Sequence, residues 1–533
     1  MLWACLLLPS LPLDVFARAA SPADAAKPFA VGSGGRTPRI VSANAGARDA
    51  GIHAGQLVSA SLALSPDLVL RERDPDAESA ALAAVASWAT QFTPAVALAP
   101  PDAVLAEIGG SLRLFGGLPK LTARLSQGAR DLGYAARFAL APTSAAALLF
   151  ARAKTAEGNR LSGSIAGKAT CQQAPAAEFT AAPAANPQAW FDALLSLPLS
   201  LTEADPAAIA TLAAAGITAF GQASALPRAA LARRVGVDVV AILDHVRGLI
   251  PELRPPFVPP PRYTGKLDLP APVTSADALA FAVNRLVFEL AGWLTGRGLG
   301  VAEMSLALAH ERYVGVATGV PATTVSFALA TPAREPAHLV AVLRERLARI
   351  VLPAPVEAIT LTSKATAPLA SRNLGLLPGD DAAATVPLVD RLRARLGEEA
   401  ITLVAPHAEH RPERAWRNAL ARESGARYDF SRRLLSFPAV PRKAVSDPTC
   451  AAFAAPRPVW LLALPEPLGH RLEAQPWVLR DGPERIESGW WDGADVRRDY
   501  FVALNPRGET VWIYCDHRYG IDDGEWFLHG VFA

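Results

Sequence analysis

Val41-Ser42-Ala43-Asn44-Ala45-Gly46-Ala47-Arg48-Asp49-Ala50-Gly51-Ile52 is the most specific stretch of the chain. It sits inside a longer run of turn-forming and small side chains, residues 38–61. Upstream, Leu2–Leu8 is apolar, and a buried strand opening the first domain accounts for it. A signal peptide or lipoprotein start is the competing reading. Against it, no Lys or Arg precedes the run, Pro9 and Pro12 interrupt it, and Asp14 follows at once. The run is also far shorter than the roughly 20 residues of a membrane span. Downstream, Asp76–Thr90 reads as an Ala-rich helix with Asp76 and Glu78 in its first turn, where the helix dipole favours acids. Residues 94–115 read as two short strands with turns at Pro100-Pro101-Asp102 and Gly109-Gly110. A helix over 118–132, a strand over 135–141 and a helix over 142–153 follow, an alternation of the α+β kind.

Residues 190–248 change character: short helices alternate with glycine turns, at Ala215-Gly216-Ile217 and Val235-Gly236-Val237. This fits helix-hairpin-helix units, in which hairpin amides hold a phosphate, and equally a plain helical bundle with glycine caps. Six prolines then crowd residues 251–261, the composition of an extended, semi-rigid tether. Beyond it the periodicity predicts a strand at 263–269, a helix at 276–295, strands near 303–310 and 322–329, a helix at 335–349 and a strand at 356–363. That order is βαββαβ. Pro, Gly and Asp cluster over 365–387, and from about residue 457 the chain reads as short β segments.

At 533 residues the chain exceeds what one core supports, and 51% hydrophobic against 19% charged residues argues for folded domains. A formal charge of +2 gives no general nucleic-acid footprint, so any DNA contact is local. Residues 258–370 are only mildly basic, with ten Lys/Arg against eight Asp/Glu. Cys5, Cys171, Cys450 and Cys515 are far apart and form no C-x-x-C pair, so neither a disulfide framework nor a zinc site is expected, and the interior reads as reducing. His407-Ala408-Glu409-His410 is flanked by prolines and reads as a loop rather than a metal site.

The segment Val41–Ile52 resembles the fingers motif of Y-family translesion DNA polymerases, with Arg48 at the position of the family's triphosphate-contacting arginine and Ala45 where that family has tyrosine. The resemblance covers about residues 1–365. It implies an α+β, multi-domain right hand, with a C-terminal region of short β segments beyond it. The divisions it implies are a palm over 1–15 and 76–189, fingers over 16–75, and a helix-hairpin-helix thumb over 190–250. A Pro-rich linker over 251–261, a βαββαβ little finger over 262–368 and a second linker over 369–387 complete the hand. Residues 388–533 form a C-terminal partner-docking region.

Nucleotidyl transfer needs divalent ions held by carboxylates. The family draws one Asp from its first palm strand and an adjacent Asp-Glu pair from a second motif. Leu2–Leu8 carries no carboxylate; the second motif resembles Pro100–Gly110, where Asp102 survives and Ala103 replaces the Glu. A shifted register offers Glu107 instead. A third motif resembles Leu140–Leu148, with Ser144 and Leu148 in place of two lysines. Arg48 and Asp102 are thus expected to be relics of a nucleotide site, with no catalytic residue, metal ion or cofactor.

These losses resemble the ImuB-type branch of the family, found in bacterial damage-induced mutagenesis cassettes. The C-terminal segments Gly482–Asp492, Arg497–Phe501 and Trp526–Ala533 look like that branch too. The resemblance implies a cytoplasmic, non-catalytic adaptor in error-prone translesion synthesis. It would bind DNA weakly and join a sliding clamp, a RecA-like accessory protein and an error-prone replicative-type polymerase subunit, away from any membrane. Asn373-Leu374-Gly375-Leu376-Leu377 resembles a clamp-binding peptide; an ordinary linker is the plainer alternative. Gly216 and Gly236 are the expected DNA contacts of the thumb. Trp490, Trp491, Trp512 and Trp526 suit a small β core or a protein-binding face, and also base stacking. The competing function is an active translesion polymerase with unusual metal ligands.

Overall fold

A computed structural model describes residues 1–20, 25–163, 187–311, 319–369, 382–397, 400–401, 403–407, 409–419, 457–458, 460–469, 472, 476–518 and 524–532. The chain divides into two compact units, Met1–Pro378 and Gly379–Ala533.

The first unit is built around β1 (Trp3–Leu7). Its side chains are apolar on both faces, as a central strand requires. α1 (Leu11–Ala17) follows, then β2 (Phe29–Gly32), β3 (Ile40–Ala43), α2 (Ala45–Asp49), α3 (Val58–Leu64) and β4 (Val69–Glu72). β3-β2-β4 form the fingers sheet over a small core of Ala30, Ile40, Ala47, Ile52, Val58 and Leu68. The sequence reading gave this region no strands. At four residues each, β2, β3 and β4 are too short for alternation to register.

The palm resumes with α4 (Pro75–Ala89), whose N-cap Asp74 accepts from the Asp76 and Ala77 amides. β5 (Val96–Ala99), β6 (Ala103–Glu107), α5 (Leu118–Asp131), β7 (Arg137–Ala141) and α6 (Ser144–Gly163) complete it. The sheet order is β5-β6-β1-β7, antiparallel throughout. Leu2, Ala4, Leu6 and Leu8 pack on one face with α1, α4 and α5; Cys5 and Leu7 lie on the other.

Five thumb helices follow: α7 (Pro187–Leu195), α8 (Pro206–Ala214), α9 (Phe220–Ser224), α10 (Arg228–Val235) and α11 (Val237–Arg247). The little finger is β8 (Thr264–Val273), α12 (Ala276–Gly296), β9 (Leu299–His310), β10 (Ala322–Ala333), α13 (Pro336–Leu347) and β11 (Val356–Pro368), in sheet order β10-β9-β11-β8. This is the βαββαβ order read from the periodicity.

α12 is long and apolar enough over Ala278–Gly296 to cross a membrane by length and composition, and it is mostly buried. It is largely apolar because it packs on its own sheet, on its neighbour α13 and on palm helix α4. Gly292 and Gly128 have no side chain to hold Trp88 off, and the indole fills the seam between the helices. Beside it Arg18 and Glu289, 3% and 2% exposed, form a buried ion pair. The Tyr263 hydroxyl lies within hydrogen-bond reach of Glu289 (3.1 Å) and of the Leu286 carbonyl (2.9 Å), between which it shares its one proton, and Arg18 lies over the Tyr134 ring. Arg285 donates to the Arg130 and Asp131 carbonyls at the C-terminal end of α5, where a cation is favoured. From the fingers, Arg71 donates to the Leu269 and Pro270 carbonyls.

The Pro-rich segment is therefore not a free tether. Ser144 bonds Glu252, Arg254 pairs with Glu203 (2.8 Å) and Glu252 (2.7 Å), and the Phe257 amide donates to Val96 on strand β5. The Pro260 carbonyl accepts from Trp293. Proline lacks a donor, but the non-proline residues between supply the side chains and amide that pin the strap.

The second unit begins with α14 (Ala382–Leu396), then a hairpin of β12 (Leu403–Pro406) and β13 (Trp416–Ala419). A five-stranded antiparallel sheet of β14 (Trp460–Pro467), β15 (Val478–Ser488), β16 (Val496–Leu504), β17 (Thr510–Asp516) and β18 (Glu525–Val531) follows, in order β14-β18-β17-β16-β15. The sequence reading missed β15, whose Arg-Asp-Gly-Pro stretch and exposed side chains mimic a loop. Trp512 stacks on Tyr500 at 4.0 Å in the core, and Trp526 packs on Phe501.

Truncating one member of the buried pair leaves the other charge desolvated and alone. Glu289→Ala should therefore cost about 3–5 kcal/mol, whereas Arg18→Met with Glu289→Leu should restore most of it. Urea denaturation of the two variants beside the parent chain measures both.

Candidate functional site

The site implied by the sequence lies where β1 meets β6. Leu7 is the cross-strand partner of Ala103, and the Leu8 amide donates to the Asp102 carbonyl at 2.8 Å. Leu7 (2% exposed) and Ala103 (0%) lie on the same face as Cys5, Ala99, Leu105, Ala139 and Ala141. That face is closed: α6 and the thumb pack on it through Ala147, Leu148, Leu212, Phe220 and Leu243. Ala103, where the resemblance puts a glutamate, and Leu7 of the carboxylate-free first strand are an apolar pair inside a hydrophobic cluster. Cys5, in the same strand, is fully buried, and burial pushes its thiol far up.

Asp102 stands at the rim of this face. Its Oδ1 is buried without a hydrogen-bond partner. Burial raises its pKa, partly countered by Arg152 and reinforced by Glu203. Arg152 is itself 3.6 Å from Glu203, which also holds Arg254 of the strap. The charges around Asp102 thus answer each other. Glu107, the other candidate, is committed at the far end of the strand, where Oε1 accepts from the Leu2 (2.9 Å) and Gly109 (3.0 Å) amides. A cavity of about 970 Å3 lies at that far end, lined by Trp3, Glu107, Leu112, Trp190 and Phe191, away from Asp102.

The third motif is equally turned inward. Leu148 is 2% exposed in the same cluster, and Ser144 is spent on Glu252. In the fingers, Asn44 caps α2 by accepting from the Ala47 amide (2.9 Å) and accepts from the Phe29 amide as well. The asparagine of the quoted segment is therefore a folding residue. Ala45 and Arg48 are exposed, Arg48 in the last turn of α2; the charges that bear on Asp102 come from Arg152 and Glu203.

Gly216 and Gly236 adopt φ of 79° and 94°, conformations that exclude most other residues. Their amides are already used, however: Gly216 donates to Ala213 and Gly236 to Ala232, each at 3.0 Å. The Ile217 amide goes to Leu212, and Thr218 and Ala219 both donate to Gln222. The first hairpin therefore satisfies its own donors within the turn. The first turn of α11 carries Asp238, which opposes an anion there.

Asn373–Leu377 lie outside the described residues. In the 407–410 stretch, Glu409 pairs with Arg411 at 2.7 Å, and that bond holds its carboxyl down at about 2. Among the described residues no group of three or more His, Cys, Asp or Glu could hold a metal ion.

Comparison with known proteins decides the family. Over 523 residues the chain is 30% identical to Protein ImuB of Caulobacter vibrioides strain NA1000 / CB15N, covering 91% of this chain and 100% of that protein. Protein ImuB of strain ATCC 19089 / CIP 103742 / CB 15 matches with the same figures. The chain belongs to the ImuB family. Residues 14–152 of this ImuB-family chain also match the IMS model, described as the impB/mucB/samB family. The solved structure of DinB from Sulfolobus solfataricus aligns with 68% of the chain and 98% of its own length at 12% identity, with a TM-score of 0.36.

Asp102 tests the electrostatics. Its folded carboxyl sits above the ordinary range, so the fold holds the proton more tightly than the unfolded chain does. The associated stability is complete below the unfolded value near 4 and is lost as pH rises through the raised one. Asp102→Asn should accordingly raise the melting temperature at neutral pH, with the gain vanishing at about pH 3–4. Melting curves across that range check the sign.

Proposed function

We propose that this chain is a non-catalytic adaptor in damage-induced, error-prone translesion DNA synthesis, acting in the cytoplasm. It retains the palm, fingers, thumb and little finger of a Y-family polymerase as a scaffold with weak DNA affinity. It links a sliding clamp, a RecA-like accessory protein and an error-prone replicative-type polymerase subunit that performs the synthesis. The observation that carries this reading is the Leu7–Ala103 pair: both are buried in an apolar cluster beneath α6 and the thumb. Two divalent ions need oxygen ligands and an accessible site, and this face offers neither. Asp102 alone remains, raised in pKa by burial.

Primer extension with magnesium or manganese tests the reading against an active polymerase with unusual ligands. The adaptor reading expects no template-dependent extension; extension that disappears in Asp102→Ala would overturn it.

Clamp binding is proposed for Asn373-Leu374-Gly375-Leu376-Leu377, on the resemblance of these five residues to a clamp-binding peptide and their place just beyond the little finger. Fully burying each leucine contributes roughly 1.5–3 kcal/mol. Leu376→Ala/Leu377→Ala should weaken the complex with the purified clamp by on the order of a hundredfold. An unchanged dissociation constant places the contact elsewhere.

A further inference from the structure

Strands β15 and β16 are joined by Gly489-Trp490-Trp491-Asp492-Gly493-Ala494-Asp495. Within it Trp490 is 78% exposed and Trp491 58%; of the unit's other tryptophans Trp512 is buried, while Trp460 and Trp416 are exposed singly on strands β14 and β13. The two rings stand edge to face, with centroids 5.5 Å apart and planes at 85°.

The loop beneath these rings is fastened from inside. Arg411, 2% exposed, reaches into it and donates to both Asp492 oxygens (3.1 and 2.6 Å) and to the Ala494 carbonyl (3.1 Å). Arg414 adds a bond to Asp492 at 2.8 Å, and Asp492 also accepts from the Ala494 amide. Glu409 holds the other side of Arg411 and accepts from Ser488, the last residue of β15. Two large apolar side chains are thus presented on a loop whose conformation is set before any partner arrives. That removes much of the ordering cost of association.

The surroundings point to a class of partner. Among the described residues, the cations of the loop and its anchor are matched by carboxylates: Arg411 by Glu409 and Asp492, Arg414 by Asp492, and Arg497 by Asp495 at 3.5 Å. Among these described residues no excess positive charge is left to hold a phosphate backbone, and the perpendicular rings do not offer two parallel stacking surfaces. The edges of the sheet are also poor templates for an added strand. β15 is interrupted by register shifts between Leu479 and Glu484, and β14 by one between Leu461 and Glu466. What remains is insertion of aromatic side chains into a pocket, the use to which tryptophan is most often put at protein interfaces.

We propose that Trp490 and Trp491 form a docking point of this unit, entering an apolar pocket with a neutral or mixed-charge rim on a partner protein. Arg411 and Asp492 are positioning residues for the loop. The assignment rests on the adaptor reading and gives it a location.

The test is calorimetric titration of the full chain and its Trp490→Ala/Trp491→Ala variant against three probes: the purified error-prone polymerase subunit, the RecA-like accessory protein and a single-stranded oligonucleotide. Both rings are exposed, so the variant should melt as the parent does. The proposal expects the parent chain to bind at least one protein, and the variant to lose about a hundredfold in affinity for it while its oligonucleotide affinity is unchanged. Parent and variant binding both proteins equally well overturns the docking assignment and leaves the adaptor reading standing. Oligonucleotide affinity falling while protein affinities hold overturns it in favour of base stacking. A parent chain that binds neither protein overturns the adaptor reading and the docking assignment together.

Discussion

The first unit depends on a charge pair withdrawn from water. Arg18 and Glu289 stand 271 residues apart in sequence, one just past the first palm helix and the other in the middle of α12. Such a pair is tolerable only if its geometry is good and its remaining hydrogen-bonding capacity is met. Tyr263 answers the free Glu289 oxygen and the Tyr134 ring covers the guanidinium, while Arg18 Nε is buried without a hydrogen-bond partner, so the pair meets this condition only in part. Each partner is a liability without the other, so the pair specifies how palm and little finger meet as well as contributing to their association. The fit of Trp88 against Gly128 and Gly292, and the capping of α5 by Arg285, follow from that registration.

This constraint changes the meaning of the proline-rich strap. A little finger already docked on the palm needs no long tether, and residues 251–260 instead run pinned across Ser144, Glu203 and Val96. The same pinning accounts for the surroundings of Ser144. Ser144 serves the strap and Leu148 serves the core. Apolar Leu7 and Ala103 allow α6 and the thumb to close over the sheet, where a pair of carboxylates would demand water or metal.

The second unit solves a different problem. Its sheet has apolar clusters on both faces, and polar groups inside it are tied together: Tyr500 bonds His529 at 2.8 Å, Arg498 bonds Tyr500 and Glu413, and burial holds the His529 imidazole down at about 4. A neutral histidine there can share a hydrogen bond with tyrosine without a desolvated charge. With its aromatic core so occupied, the exposure of Trp490 and Trp491 is a separate feature of the surface, held out by the Arg411–Asp492 anchor.

Several things were legible in the residues alone. The all-apolar Leu2–Leu8 run specifies a central strand because alternation is absent on both faces. The alternation of long strands and helices over 262–368 specifies βαββαβ, and the missing carboxylates are visible as letters. Other features were decided only in three dimensions. The four-residue fingers strands and the charged β15 carry too little pattern to be seen locally. That the Gly216 amide is already spent depends on how its turn closes on Ala213, which the presence of a glycine does not reveal. The Arg18–Glu289 contact, the pinned strap and the closed face over Leu7 and Ala103 join residues far apart in the chain. Periodicity reports which side chains seek burial, and only tertiary packing determines which distant partner buries them.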